Sequence, residues 1–116
     1  MKKKVLVYDN QLGYYDLVND TVKNGYDFFL YKKEHEEQYD AVVFFLHDDL
    51  ELLDMVKLYD PEIPFILGTS KKSTSYLKGK DTVFIIDISL TRDEIVQNLV
   101  SAFNKVGHLN EKEEAL

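Results

Sequence analysis

Cysteine is absent from this 116-residue chain, which excludes disulfide scaffolds, thiolate zinc sites and cysteine nucleophiles. Also missing is any apolar run near the ~20 residues that a bilayer-spanning helix needs. The opening Met1-Lys2-Lys3-Lys4 leads into only four apolar residues, Val5 to Tyr8, before Asp9, too short for a secretory signal peptide. Positive charge is scarce, with 14 Lys and Arg against 21 Asp and Glu, for a net charge of −7. Such a surface repels a phosphate backbone unless its cations gather in a patch. The one basic stretch carries Lys71, Lys72, Lys78 and Lys80 with Tyr76 as its single aromatic, so neither nucleic acid nor a membrane is an expected partner. What remains is globular composition, 45 % apolar and 30 % charged, at a length suited to one domain. The cytoplasm is the expected compartment.

Short apolar runs alternate with amphipathic stretches, the order of a parallel α/β sheet. Val5 to Tyr8 reads as a first strand, ended by Asp9-Asn10. Leu17, Val18, Thr21 and Val22 then repeat at helical spacing over Gln11 to Lys23, with Gly25 as the stop. Phe28 to Tyr31 reads as the second strand. Ala41 to Leu46, apolar at every position, reads as a central third strand covered on both faces. A helix is expected over Asp49 to Tyr59, opened by a capping box of Asp48 and Glu51, with Leu52, Leu53 and Val56 as its buried stripe. Pro64 to Leu67 and Val83 to Ile86 supply strands four and five, and Ser73 to Lys78 between them suffices for about one helical turn. The last helix starts at a second capping box, Thr91 with Glu94. Its stripe is Ile95, Val96, Leu99, Val100, Phe103 and Val106, and Gly107 is its expected end. One domain is expected over 1–107, with 108–116 as a polar tail.

Several of these segments resemble the receiver domain of bacterial two-component response regulators. Val5-Leu6-Val7-Tyr8-Asp9-Asn10-Gln11 is similar to that family's first strand and acidic pair. Tyr39-Asp40-Ala41-Val42-Val43 resembles the lead-in to its phosphorylated strand. Asp48 to Leu53, and then Asp60-Pro61-Glu62-Ile63-Pro64-Phe65-Ile66-Leu67-Gly68-Thr69-Ser70, resemble its third helix, fourth strand and the Thr-Ser step. The resemblance covers nearly the whole chain. It implies a three-layer, flavodoxin-like α/β sandwich with a five-stranded parallel sheet of order 2-1-3-4-5. Only nine residues, Lys32 to Asp40, stand where the family places its second helix. A crossover must move ~10 Å sideways and return along a strand of ~15 Å, which nine residues manage only when largely extended. Helix two is therefore expected to be missing or reduced, and helix four short.

The resemblance also implies a chemistry, and there this chain departs from it. In the family two acids after strand one hold magnesium beside a phosphoacceptor aspartate, and a Thr/Ser and a Lys engage the phosphoryl oxygens, offsetting its charge. Here Asp9 keeps the first acidic position, Asn10 replaces the second, the acceptor position falls on Phe45, and Ile86-Asp87-Ile88-Ser89-Leu90 offers no Lys. Thr69 is retained. The expectation is a non-phosphorylatable pseudo-receiver, not an enzyme, which acts by binding a protein and needs no cofactor.

Other readings of the same residues stay open. Asp9, Asp48 and Asp49 could hold a divalent cation such as magnesium at the carboxyl edge of the sheet, although Asp48 also suits a helix cap, Asp49 a first turn and His47 a loop. With Thr69 these acids could serve a small-ligand sensor, and Asp48 or Asp49 could take a relocated phosphoryl group. The hydroxyl-rich Thr69 to Ser75 could bind an anion. His35, His47 and His108 are too scattered for a triad. Phe28, Phe29 and Tyr31 lie on an edge strand that must be covered, either by Tyr39 and its neighbours or by a second copy of the chain. With Tyr76 and Lys78 they make up the expected partner surface.

Overall fold

A computed structural model of the chain describes residues 3–10, 13–21, 25–31, 38–70 and 82–114. Five parallel strands form one sheet: β1 (Lys3–Tyr8), β2 (Tyr26–Leu30), β3 (Ala41–Leu46), β4 (Phe65–Thr69) and β5 (Val83–Asp87). Their order is β2-β1-β3-β4-β5, as the resemblance implies. Helix α1 (Gly13–Thr21) follows β1, a 3-10 turn (Asp49–Glu51) and α2 (Leu52–Leu58) follow β3, and α3 (Arg92–Glu114) closes the chain. Among the described residues no helix is long and apolar enough to cross a membrane.

Strand alternation divides the core in two. Val5, Val7, Ala41, Val43, Phe45, Ile66 and Ile86 pack against Leu17 and Val18 of α1 and Ile95, Leu99 and Phe103 of α3. On the other face Leu6, Tyr8, Val42, Phe44, Leu46, Phe65 and Leu67 pack with Met55 of α2. β3 is buried at every position, which is why its sequence has no polar alternation. Gly25 adopts φ 88°, a left-handed conformation that glycine takes without a steric penalty. Its carbonyl accepts from Lys3 N at 2.9 Å, fixing the start of β1.

Three features differ from the sequence reading. Helix α2 buries Met55 and half-buries Leu52 and Leu58, while Leu53 and Val56 of the expected stripe face outward. The cause is polar: two side chains of this segment, described below, are anchored at the edge of the sheet and set the rotation of the helix. Helix α3 continues through Gly107 to Glu114. A glycine inside a helix costs only about 1 kcal/mol, and the residues after it include good helix formers with no proline. In the same helix Val100 is 40 % exposed and Ala102 is buried instead.

The expected short helix over 73–78, with Tyr76 and Lys78, lies outside the described residues. Between β2 and β3, Tyr31 and residues 38–40 carry no helix. Asp40 instead lies along β1, its N–H donating to Lys4 O and its carboxylate accepting from Lys4 N, both at 2.8 Å. The aromatics of the edge are half-buried within the chain. Phe28 meets Phe103 edge-on, Phe29 lies against Tyr39, and Tyr31 against Tyr8.

Candidate functional site at the carboxyl edge of the sheet

Strand order reverses between β1 and β3, and open α/β sheets bind ligands at the carboxyl ends beside such a point. Register pairs Tyr8 with Phe44, so Asp9 and Asn10 leave β1 next to Phe45, Leu46 and His47 leaving β3. Of the expected edge residues Asp9, Asn10 and His47 meet protein partners here, whereas Asp48 and Asp49 stand exposed outside them.

Asp9 is 3 % exposed. Its Oδ2 accepts from Tyr14 N at 2.7 Å and Tyr15 N at 3.0 Å, which are backbone donors of the first turn of α1 that no helical carbonyl can reach. Its Oδ1 lies 2.9 Å from His47 Nε2. One carboxylate thus caps a helix and holds an imidazole. Tyr14 stacks on Phe45 with ring centroids 4.8 Å apart and on His47 at 5.7 Å, closing the apolar side. Phe45 itself is wholly buried. Its ring occupies the space where a Cβ on Gly68 would stand, 2.7 Å from Cδ1, so the glycine after Leu67 is what lets this phenylalanine lie flat across β4.

A second network lies on the α2 side. Asn10 Nδ2 donates to Tyr8 Oη at 3.0 Å and to Glu51 Oε2 at 2.6 Å. Tyr8 Oη donates onward to Asp54 Oδ2 at 2.7 Å. Glu51, 7 % exposed, takes His47 N and Asp48 N on its other oxygen at 2.7 and 2.8 Å. Burial pushes the Tyr8 phenol above its ordinary value near 10, and its hydrogen bond to Asp54 adds to the shift. The phenol therefore stays a donor through neutral and mildly alkaline pH. Among the described residues, no buried side-chain nitrogen or oxygen lacks a partner.

The capping box read from the sequence is present. Asp48 Oδ1 accepts from Leu50 N at 3.0 Å, and Glu51 answers to Asp48 N. Asp48 and Asp49 are exposed at the mouth of the edge, while Asp9 is buried behind His47. Among the described residues no three of His, Cys, Asp or Glu come together as a group that could hold a metal. Thr69 is buried at the end of β4, and its carbonyl accepts from Ile88 N at 3.3 Å. In the Ile86–Leu90 stretch Asp87 turns its carboxylate to the Ser89 N–H and hydroxyl. Tyr14 and Asp54 were not singled out in the sequence, Tyr8 without its hydrogen bonds, and Glu51 only as a cap partner. The available signal was adjacency, since β1 and β3 are neighbours and the residues just past both ends must meet.

No protein-family profile matches this chain, and no curated protein does. Solved structures do. The receiver domain of the Francisella response regulator 1452 is 18 % identical, with 90 % of this chain and 98 % of that one covered and a TM-score of 0.53. NtrX from Brucella abortus, solved in complex with ATP, is 17 % identical over all of this chain and 30 % of its own, with a TM-score of 0.63. A fusion carrying the yeast Spc42 trimeric coiled coil is 13 % identical over 97 % of this chain and 83 % of its own, at a TM-score of 0.64. At such identities the likeness is one of fold, and the fold is receiver-like: five parallel strands in the order 2-1-3-4-5 with helices on both faces.

Proposed function

We propose that this chain is a pseudo-receiver: a receiver-like module of bacterial signal transduction that acts in the cytoplasm by binding a protein and does not transfer phosphoryl groups. Receiver domains among its structural neighbours support the signalling context. The observation that carries the proposal is the closure of the carboxyl edge. Both oxygens of Asp9 already accept hydrogen bonds, and the acceptor position is a buried phenylalanine with no oxygen to phosphorylate. The magnesium that the receiver family implies does not fit these donors. Asn10 turns its amide N–H groups toward Tyr8 and Glu51, and a hard cation needs oxygen ligands that are not already spent on protein donors.

The test is an amide NMR titration of the chain with magnesium, then with magnesium plus beryllofluoride, which mimics an aspartyl phosphate. The expected outcome is a spectrum unchanged at Asp9, Asn10, Asp48, Asp49 and Thr69. Saturable shifts at those amides would overturn the proposal in favour of a metal sensor or a receiver phosphorylated at Asp48 or Asp49.

A further inference from the structure

Three large aliphatic side chains stand on the outer side of one short helical segment. Leu50, Leu53 and Val56 are 81, 73 and 68 % exposed, and their spacing of three places them in one stripe. A single exposed leucine needs no explanation. Three together leave on the order of 400 Å² of aliphatic surface, the size range in which the largest patch on a monomer is often functional. The helix does not use them to hold its place. Met55 is buried under it, and Glu51 and the Tyr8–Asp54 hydrogen bond anchor it to the edge of the sheet.

The geometry points to this face as the docking site of a basic amphipathic helix from another protein, an inference that rests on the protein-binding reading above and gives it a location. The occupant follows from charge and area. Asp48 and Asp49 are exposed at the upper end of the stripe, and Lys57 is the one cation within the helix. At that upper end Leu50 also lines a notch of about 300 Å³ with Asn10, His47, Asp48 and Glu51, open to a long side chain from outside. A second copy of this chain would bring another net −7 against the first. It would also find about half of the ~800 Å² per partner that a stable interface buries. A single helix reads such a stripe through anchors at positions i, i+3, i+4 and i+7. Lysines or arginines beside those anchors would meet the acidic rim, speeding association and making the affinity fall with salt.

The probe is a fluorescein-labelled Leu/Lys peptide about five turns long with its leucines on one face, titrated with the full chain and read by anisotropy. Its controls are a scrambled peptide of the same composition and a Leu/Glu counterpart. Saturable binding is expected for the Leu/Lys helix alone, weakened at least ~10-fold by Leu50→Ser/Leu53→Ser, with amide shifts confined to residues 48–57. Leu53→Lys, which sets a like charge against the peptide, serves as a second variant should the double one melt early. Equal binding to wild type and variants, equal binding of the scrambled peptide, or no binding overturns the inference. So does a wild-type dimer in sedimentation that Leu50→Ser/Leu53→Ser dissolves, which would make the occupant a second copy. A failed peptide beside a silent magnesium titration refutes this docking face alone, whereas magnesium-dependent shifts refute the reading beneath it.

Discussion

Restoring the second acid of the receiver pattern, Asn10→Asp, should destabilise this protein. The amide of Asn10 donates to Glu51 Oε2 at 2.6 Å and to Tyr8 Oη at 3.0 Å, and a carboxylate can donate to neither. The lost hydrogen bond to a charged group is worth roughly 1.5–3 kcal/mol. Two carboxylates about 4 Å apart at an effective dielectric of 20 repel by about 4 kcal/mol. The new aspartate can escape by taking up a proton and donating it to Glu51. Protonating a group of ordinary pKa ~3.9 at pH 7 costs about 4 kcal/mol, and that sets the ceiling. The expected loss at pH 7 is therefore about 2–4 kcal/mol, a large part of the usual 5–15. The folded-state pKa of the variant carboxyl is raised, so the folded state holds the proton that the unfolded state gives up. Stability falls as pH rises above the unfolded value, and the deficit should shrink by more than half at about pH 4.5. Urea melts read by far-UV circular dichroism at both pH values measure this. Exchanging the two roles in Asn10→Asp/Glu51→Gln puts an amide back opposite a carboxylate and should recover most of the loss, a coupling of about 2 kcal/mol. A single variant as stable as wild type, a deficit independent of pH, or a double variant no better than the single one would refute the network.

Gly68→Ala would set a methyl 2.7 and 2.9 Å from the Phe45 ring and 3.1 Å from Ile88, and should cost about 1–3 kcal/mol by overpacking in a chemical-denaturation series. Tyr8→Phe removes a phenol whose folded-state pKa is raised by burial and by Asp54. The wild type should therefore lose stability as pH climbs past the unfolded phenol value near 10, and the variant should lose less over the same range in alkaline melts. Met55→Ala should cost about 2–5 kcal/mol and Leu53→Ala no more than ~0.5, although a stripe read from the sequence ranks them the other way. Matched thermal melts decide.

The five strands, the extent of β3 and the Asp48–Glu51 capping box were legible because each depends on local pattern, whereas the strand order came only with the resemblance to receivers. Continuous apolarity marks a central strand, and a Ser, Thr or Asp three residues before a Glu marks a helix start. The face of α2 was not legible, because its rotation is set by Glu51 reaching the His47 and Asp48 amides and by Asp54 reaching Tyr8. The Tyr8–Asp54 contact joins residues 46 apart in sequence. Hydrophobic periodicity fits two faces of this segment about equally, since Leu52, Leu53, Met55, Val56 and Leu58 nearly encircle it. Position alone put Asp9, His47, Asp48 and Asp49 at one edge. It did not show that Asp9 and His47 would satisfy each other, because that requires knowing that both side chains turn inward.

The departures from the receiver pattern at the edge and the exposed stripe on α2 are linked by the same side chains. With an amide at position 10, the Glu51 carboxylate can be buried against it. With Glu51 and Asp54 both drawn to the end of β1, α2 can seat only Met55 and its neighbours Leu52 and Leu58 on the sheet. Leu50, Leu53 and Val56 are then directed to solvent. The arrangement that turns Asp9, Asn10 and Glu51 toward protein partners thus also presents an apolar face beside the exposed Asp48 and Asp49. Perturbing one should move the other, so amide shifts along α2 ought to accompany the stability loss of Asn10→Asp. An α2 that stays fixed while the edge is disrupted would separate the two and leave the stripe without a structural cause.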